Sequence, residues 1–377
     1  MFTTAWTASP QLPAVGFTPN WSQEGFWRQS LRQVVRIGAG AGRVRIRLSN
    51  AYGTSPLRIA GATVARAGEG AGVEPGSLRR LTFEGAGGVE IPACGQVASD
   101  PAELVVEALE SVTVTLHLDA VTGPATFHAQ AFATSHRGEG DRLDDLGGDG
   151  FGETSESWYF LSAVEVDAGG RTDGVVLFGD SIVDGFGSTP GANRRWSDAL
   201  AERTGRPVLG AGIGGNLLLN DSAWYGEKGV RRFGRDVLDQ SGVEAVVVLL
   251  GLNDIGFSET DEQPTYKPAP VVEAAELIDG YQELIRQARA RGLRAIGATL
   301  LPFGGSDHWG ERAAKVSREV NGWILGAGER DAVVDLNGVL ADPGDPDRLR
   351  GEYDFGDHLH PNDAGYEVMA EEVAGRF

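Results

Sequence analysis

Cysteine is nearly missing: Cys94 stands alone in 377 residues. That excludes an internal disulfide and any thiolate metal cage. In "EIPACGQV" the residue reads as packing at a strand end rather than as a nucleophile. Positive charge is also scarce, with 33 Lys and Arg against 53 Asp and Glu and a formal net charge of -20. A sequence-independent grip on nucleic acid or on an anionic membrane needs clustered Lys and Arg, so neither partner is expected. No apolar run approaches the ~18 residues of a membrane span. The opening "MFTTAWTASP" has neither a basic start nor an apolar stretch of signal-peptide length. That points to a cytoplasmic protein, although a secreted one with its leader trimmed reads the same way.

What is present is apolar material for two cores, at 41% hydrophobic residues. It is arranged with two different periods. From about residue 31 to 166 it alternates. "RVRIRLSN" sets Val44, Ile46 and Leu48 against Arg43, Arg45 and Arg47, and "SVTVTLHLD" repeats the pattern with Val112, Val114, Leu116 and Leu118. Short alternating runs separated by Gly, Pro and Asp predict an antiparallel β-sandwich. The acidic, Gly-rich stretch 137–156 is expected to be a solvated excursion. Trp6, Trp21 and Trp27 read better as a staple for the N-terminus than as a sugar-binding face.

After residue 171 the runs become continuous: "GVVLFGD", "RPVLGAG", "VEAVVVLLGLND", "LRAIGATLLP" and "AVVDLNG". Helical stretches alternate with them, one carrying Leu277, Tyr281, Leu284, Ile285 and Ala288 at three- and four-residue steps. Buried strands alternating with helices predict a parallel sheet covered on both faces. The expected domains are 1–170 and 171–377, with the hinge in 167–174.

Ligand sites in such sheets form at the carboxyl ends of the strands. The first strand ends in "LFGDSIVDG", placing Ser181 past the sheet edge. The second ends in "VLGAGIGGN", which contains Gly210, Gly212 and Gly215. The third ends in "LLGLND", with Asn253 and Asp254. "DHLHPNDAGY", carrying Asp357 and His360, follows the fifth. A serine hydroxyl needs a base to take its proton, a neutral imidazole suits that task near neutral pH, and a carboxylate can orient the ring. A developing oxyanion needs donors, which the Ser181 N–H, the Gly215 N–H and the Asn253 side-chain amide could supply.

The glycine turn by itself matches a dinucleotide fingerprint. That motif should open the α/β unit, run straight into a helix and meet an acid about 20 residues later. Here it follows the second strand, "NLLLNDSAWYGEKG" interrupts any helix, and the nearest acid, Asp236, lies within a helical stretch. No nicotinamide or other cofactor is expected. No histidine pair has metal-ligand spacing, so no metal is expected either.

"GDSI" at 179–182, "GAGIGGN" at 210–216, "GLND" at 251–254 and "DHLH" at 357–360 together resemble the four ordered blocks of the GDSL, or SGNH, hydrolase superfamily. The resemblance covers roughly residues 171–377. It implies a flavodoxin-like α/β/α sandwich, a Ser181–His360–Asp357 triad and an oxyanion hole from Ser181, Gly215 and Asn253. Ile182 stands where the family name has Leu. The preceding half resembles the β-rich module attached to some bacterial members.

Ser181 could cap a helix, and Asp180 and Asp254 read as loop supports. His358 competes with His360 as the base but lacks its D-x-x-H spacing. His117, His128, His136 and His308 read as surface or structural. A pocket wall is expected from Phe186, Asn216, Leu217, Trp224 and Phe303, together with Tyr225, Ile255, Phe257 and Trp309, with 257–272 as a mobile lip. These residues suit a small or medium acyl ester, or an O-acetylated carbohydrate. Thioesterase and deacetylase chemistry would look the same, and the oligomeric state is open. The alternative from another class is a non-catalytic carbohydrate-binding protein on the same scaffold.

Overall fold

A computed structural model describes residues 1–326 and 331–377. The chain divides into two compact units, Met1–Thr172 and Asp173–Phe377.

The first unit is antiparallel throughout. One sheet runs Thr3–Thr7, Leu161–Val166, Ala41–Ser49 and Gln96–Ala98, with Ala102–Val106 also pairing on Ala41–Ser49. The other runs Glu153–Ser155, Ser135–Glu139, Gln29–Arg36, Ser111–Leu118, Gly61–Arg66 and Arg79–Leu81. The alternation has its physical outcome in the core. Val44, Ile46 and Leu48 from one sheet and Val112, Val114, Leu116 and Leu118 from the other are fully buried in one hydrophobic cluster. Each such side chain contributes about 1.5–3 kcal/mol by leaving water.

Two expectations for this unit are revised, and a third, the tryptophan staple, holds for two of its three residues. The 137–156 stretch is not simply solvated: Leu143 and Phe151 are buried, and its ends join the sheet. The cause is Arg32, fully buried, whose guanidinium donates to the backbone oxygens of Asp145 and Arg142 and lies over the Phe151 ring. A buried cation has to be fully hydrogen-bonded, and loop carbonyls supply the acceptors. Cys94 is exposed, on a turn with positive φ, rather than packed at a strand end. Trp6 and Trp21 lie in the core against Trp158 and Tyr159, whereas Trp27 is exposed.

The second unit holds five strands: β1 (Gly174–Gly179), β2 (Val208–Gly212), β3 (Val243–Leu249), β4 (Arg294–Ala298) and β5 (Ala332–Val334). They pair in the order β2-β1-β3-β4-β5, every pair parallel. This is the flavodoxin-like order, with its switch point where β1 lies between β2 and β3. Every residue of β1 is buried, as its unbroken apolar run requires.

The helices of this unit fall into two packed sets. In one, α2 (Trp196–Thr204) and α7 (Leu336–Leu340) pack on α8 (Asp363–Ala374). In the other, α3 (Gly229–Phe233) and α6 (Glu311–Gly326) pack on α5 (Ala274–Ala290). Two short helices, α1 (Ser181–Asp184) and α4 (Leu252–Gly256), begin directly beyond β1 and β3.

The α5 stripe is buried as its spacing predicts, with Leu284 only 1% exposed. Leu284→Ala should therefore cost about 2–5 kcal/mol. Urea unfolding followed by fluorescence should show an earlier midpoint for the second unit; a cost below about 1 kcal/mol would mean that α5 does not anchor its core.

Candidate active site

β1 stops at Gly179, and the chain turns at once into α1. Asp180 takes the capping position, its side chain accepting the Ile182 N–H at 3.1 Å. The capping role weighed for Ser181 thus falls to its neighbour, and the serine hydroxyl is left available. Ser181 Oγ lies 2.8 Å from His360 Nε2. His360 Nδ1 lies 2.6 Å from Asp357 Oδ2. The other carboxylate oxygen of Asp357 accepts the backbone N–H groups of Leu359 and His360, at 3.0 and 2.9 Å. Asp357 and His360 are thereby locked into one rigid turn.

Burial works against the charge on Asp357. The His360 ring and the two backbone donors outweigh it and hold the carboxyl down at about 2. Asp357 is therefore ionised at any working pH and can act only as an acceptor. His360 is buried, with the Phe186 ring tilted against it at 4.3 Å. The competing histidine, His358, sits at positive φ and turns to Asp354, Nδ1 to Oδ2 at 2.6 Å.

The glycine turn beyond β2 is tied to α1 by the Gly214 N–H, which donates to Asp184 at 3.0 Å. Gly215 has φ +72°, and a Cβ there would meet the Tyr225 ring at 2.4 Å, so only glycine fits. The Gly215 and Ser181 N–H groups have no hydrogen-bond partner among the described residues. On α4, the Asn253 amide donates to the Asn216 carbonyl at 3.0 Å. Asp254 accepts the N–H groups of Leu218 and Leu219 at 2.7 and 3.0 Å. Burial pushes the Asp180 and Asp254 carboxyls up to about 7.

A residue that sequence reasoning missed organises both strand ends. Arg232 is fully buried. It donates to Gly179 O at the end of β1, to Ala211 O in β2, to Asn216 Oδ1 and to Asp236, at 2.6 to 3.0 Å. Asp236, the acid that a dinucleotide site would have used for a ribose, is occupied by Arg232 and Arg235.

The expected pocket wall separates into two groups. Asn216 is wholly buried; its oxygen is taken by Arg232, and its nitrogen by the carbonyls of Tyr225 and Glu227. It braces the turn and has no atom left for a substrate. Phe303 is buried edge-on to Trp309. Leu217, Tyr225 and Phe257 form a small hydrophobic cluster of their own, and Ile255 is fully buried. Phe186 remains beside His360, with the exposed Phe355 against it, and Trp224 is exposed.

The lip is not free: Thr265 hydrogen-bonds Tyr225, and the Tyr266 ring stacks on Phe257. His308, read as surface or structural, is buried and hydrogen-bonded to Asn253. Among the described residues no group of His, Cys, Asp and Glu could hold a metal ion, and no helix is long and apolar enough to cross a membrane.

Residues 177–368 match the GDSL-like Lipase/Acylhydrolase family, a span that includes Ser181, Gly215, Asn253, Asp357 and His360. The chain belongs to that family. Among solved structures it is similar to a GDSL-like lipase from Bacteroides thetaiotaomicron (20% identity, 54% of this chain and 87% of that one, TM-score 0.41). It is also similar to a carbohydrate acetylesterase from Sinorhizobium meliloti (15% identity, 54% and 97%, TM-score 0.42). A third is an acetyl xylan esterase (22% identity, 54% and 98%, TM-score 0.40). No curated protein matches the chain.

The carboxylate gives the pH prediction for this hydrolase. Its folded pKa lies below the unfolded value of about 3.9, so its stabilisation is present above that value and lost as pH falls through about 2. Asp357→Asn should unfold at a lower urea concentration than the wild type at pH 6. The two midpoints should converge towards pH 2, and a constant gap down to that pH would contradict the assignment.

Proposed function

We propose that this chain is a serine ester hydrolase that cleaves small to medium acyl esters through an acyl-enzyme. The observation that carries the reading is the 2.8 Å approach of Ser181 Oγ to His360 Nε2, with Asp357 on the opposite ring nitrogen. In this reading Ser181 Oγ attacks the ester carbonyl carbon while His360 takes the hydroxyl proton. Asp357 holds the ring with Nδ1–H towards itself and stabilises the imidazolium that forms. The C=O electron pair moves onto oxygen, where the N–H groups of Ser181 and Gly215 and the Asn253 amide meet it.

Collapse of the tetrahedral species breaks the bond to the alcohol oxygen, which leaves with the proton from His360. Water then attacks the acyl-serine with the same base, releasing the acid and restoring Ser181. Nothing in the sequence demands a cofactor.

The side chains beside His360 favour an apolar or aromatic substrate group. Phe186 and Phe355 meet edge-on at 5.6 Å, and Phe186 also touches the His360 ring. An O-acetyl group on a carbohydrate fits the same chemistry, since sugar faces also stack on aromatic rings.

Ser181→Ala should lower p-nitrophenyl acetate turnover by about 10⁴-fold or more with the fold intact. Steady-state kinetics beside circular dichroism checks this; full activity in a folded variant would overturn the proposal. A panel of esters from acetyl to decanoyl, with acetylated xylan, would then set the acyl length.

A further inference from the structure

We propose that His308, held by Asp307, is a positioning residue for the oxyanion donor Asn253. It would fix the orientation of the Asn253 amide and, carrying a positive charge, strengthen the amide N–H as a donor. The proposal rests on the oxyanion role given to Asn253 above.

The hydrogen bonds leave little choice of orientation. Asn253 Nδ2 donates to the Asn216 carbonyl at 3.0 Å. Rotating the amide by half a turn would set two oxygens face to face, so Oδ1 must point the other way. There it meets His308 Nε2 at 3.0 Å, which must therefore carry a proton. The second ring nitrogen, Nδ1, lies 2.6 Å from Asp307 Oδ1.

The His308 hydrogen bond is the largest influence on Asp307 and, against partial burial, keeps that carboxyl below the usual carboxylate range. An ionised carboxylate only accepts, so Nδ1 must donate as well. A ring that donates from both nitrogens is an imidazolium. Its charge beside Oδ1 draws density towards the amide oxygen and leaves the Nδ2 hydrogens more positive. One of them is used on Asn216; the other has no partner among the described residues.

The surroundings hold the ring in place. His308 is 1% exposed, and a Cβ at Gly256 would lie 2.3 Å from it, so α4 can carry the ring only because position 256 is glycine. The rings of Phe257 and Tyr266 stand edge-on to it, each at 5.5 Å. The Tyr266 hydroxyl donates to the other oxygen of Asp307 at 3.0 Å. Asp357 also acts on Asp307 through space. A continuous path of hydrogen bonds thus runs from Tyr266 through Asp307 and His308 to Asn253.

A double-mutant cycle separates positioning from plain structural support. kcat and KM for p-nitrophenyl acetate would be measured in His308→Leu, Asn253→Ala and the double variant. Loss of one oxyanion donor typically costs 10²–10³ in kcat. His308→Leu should lower kcat by about 10- to 100-fold with KM within about twofold. His308→Gln, whose amide can still donate to Asn253, should recover part of that loss.

In the Asn253→Ala background, His308→Leu should cost less than about twofold more. An equal loss in both backgrounds, or an unchanged kcat in the single variant, would overturn the proposal. An unchanged kcat in Asn253→Ala would instead overturn the oxyanion reading beneath it. If His308→Leu fails to fold, Asp307→Asn takes its place in the same cycle, with a smaller expected loss and the same criterion.

Discussion

A single hydrogen bond, Ser181 Oγ to His360 Nε2 at 2.8 Å, joins side chains 179 residues apart, and the proposed chemistry depends on it. A serine hydroxyl at the end of a parallel strand is inert unless an imidazole reaches it. The imidazole in turn needs a fixed tautomer. Asp357 fixes it while spending its second oxygen on the backbone of the same turn, so ring and carboxylate move as one body.

The opposite side of the site has a harder problem, because the backbone groups of three loops leave water together. Buried polar side chains solve it. Arg232 satisfies carbonyls at two strand ends and reaches Asn216; Asn216 fastens the segment that carries Gly215; Asp254 collects the amides that follow. A buried cation with this many acceptors is stable in place, and removing it would orphan several groups at once. Ser181 N–H and Gly215 N–H, which have no internal partner among the described residues, are the donors that the proposed oxyanion role calls for.

Much of the architecture is legible in the sequence, because burial imposes period. Val44, Ile46 and Leu48 alternate since one face of their sheet meets a core, and β1 is an unbroken apolar run, as β3 is from Ala245 onward, since both their faces are covered. The candidate site residues are legible as types: a serine after "GD" and an amide after "GL" at strand ends, and, well beyond the last strand of the parallel sheet, a histidine three positions past an aspartate. The distances among them had to come from the fold.

Buried polar networks were not legible. Arg232 looks like one more helical arginine, His308 like an isolated histidine, and Asn216 like a loop amide open to a ligand. None of them is periodic, and each acquires its role only from partners far away in the chain. Phe303 misled for a related reason, since an aromatic residue after a strand lines a pocket or fills a core with the same local sequence. The 137–156 stretch read as solvent-exposed because its acids and glycines hide the carbonyls that Arg32 needs.

The most direct measurement of the central claim is covalent labelling by a fluorophosphonate, followed by peptide mass mapping. The account predicts one adduct, on Ser181, formed at least about 100-fold more slowly when His360 is replaced by alanine. An adduct on another serine, or labelling undiminished without His360, would contradict it.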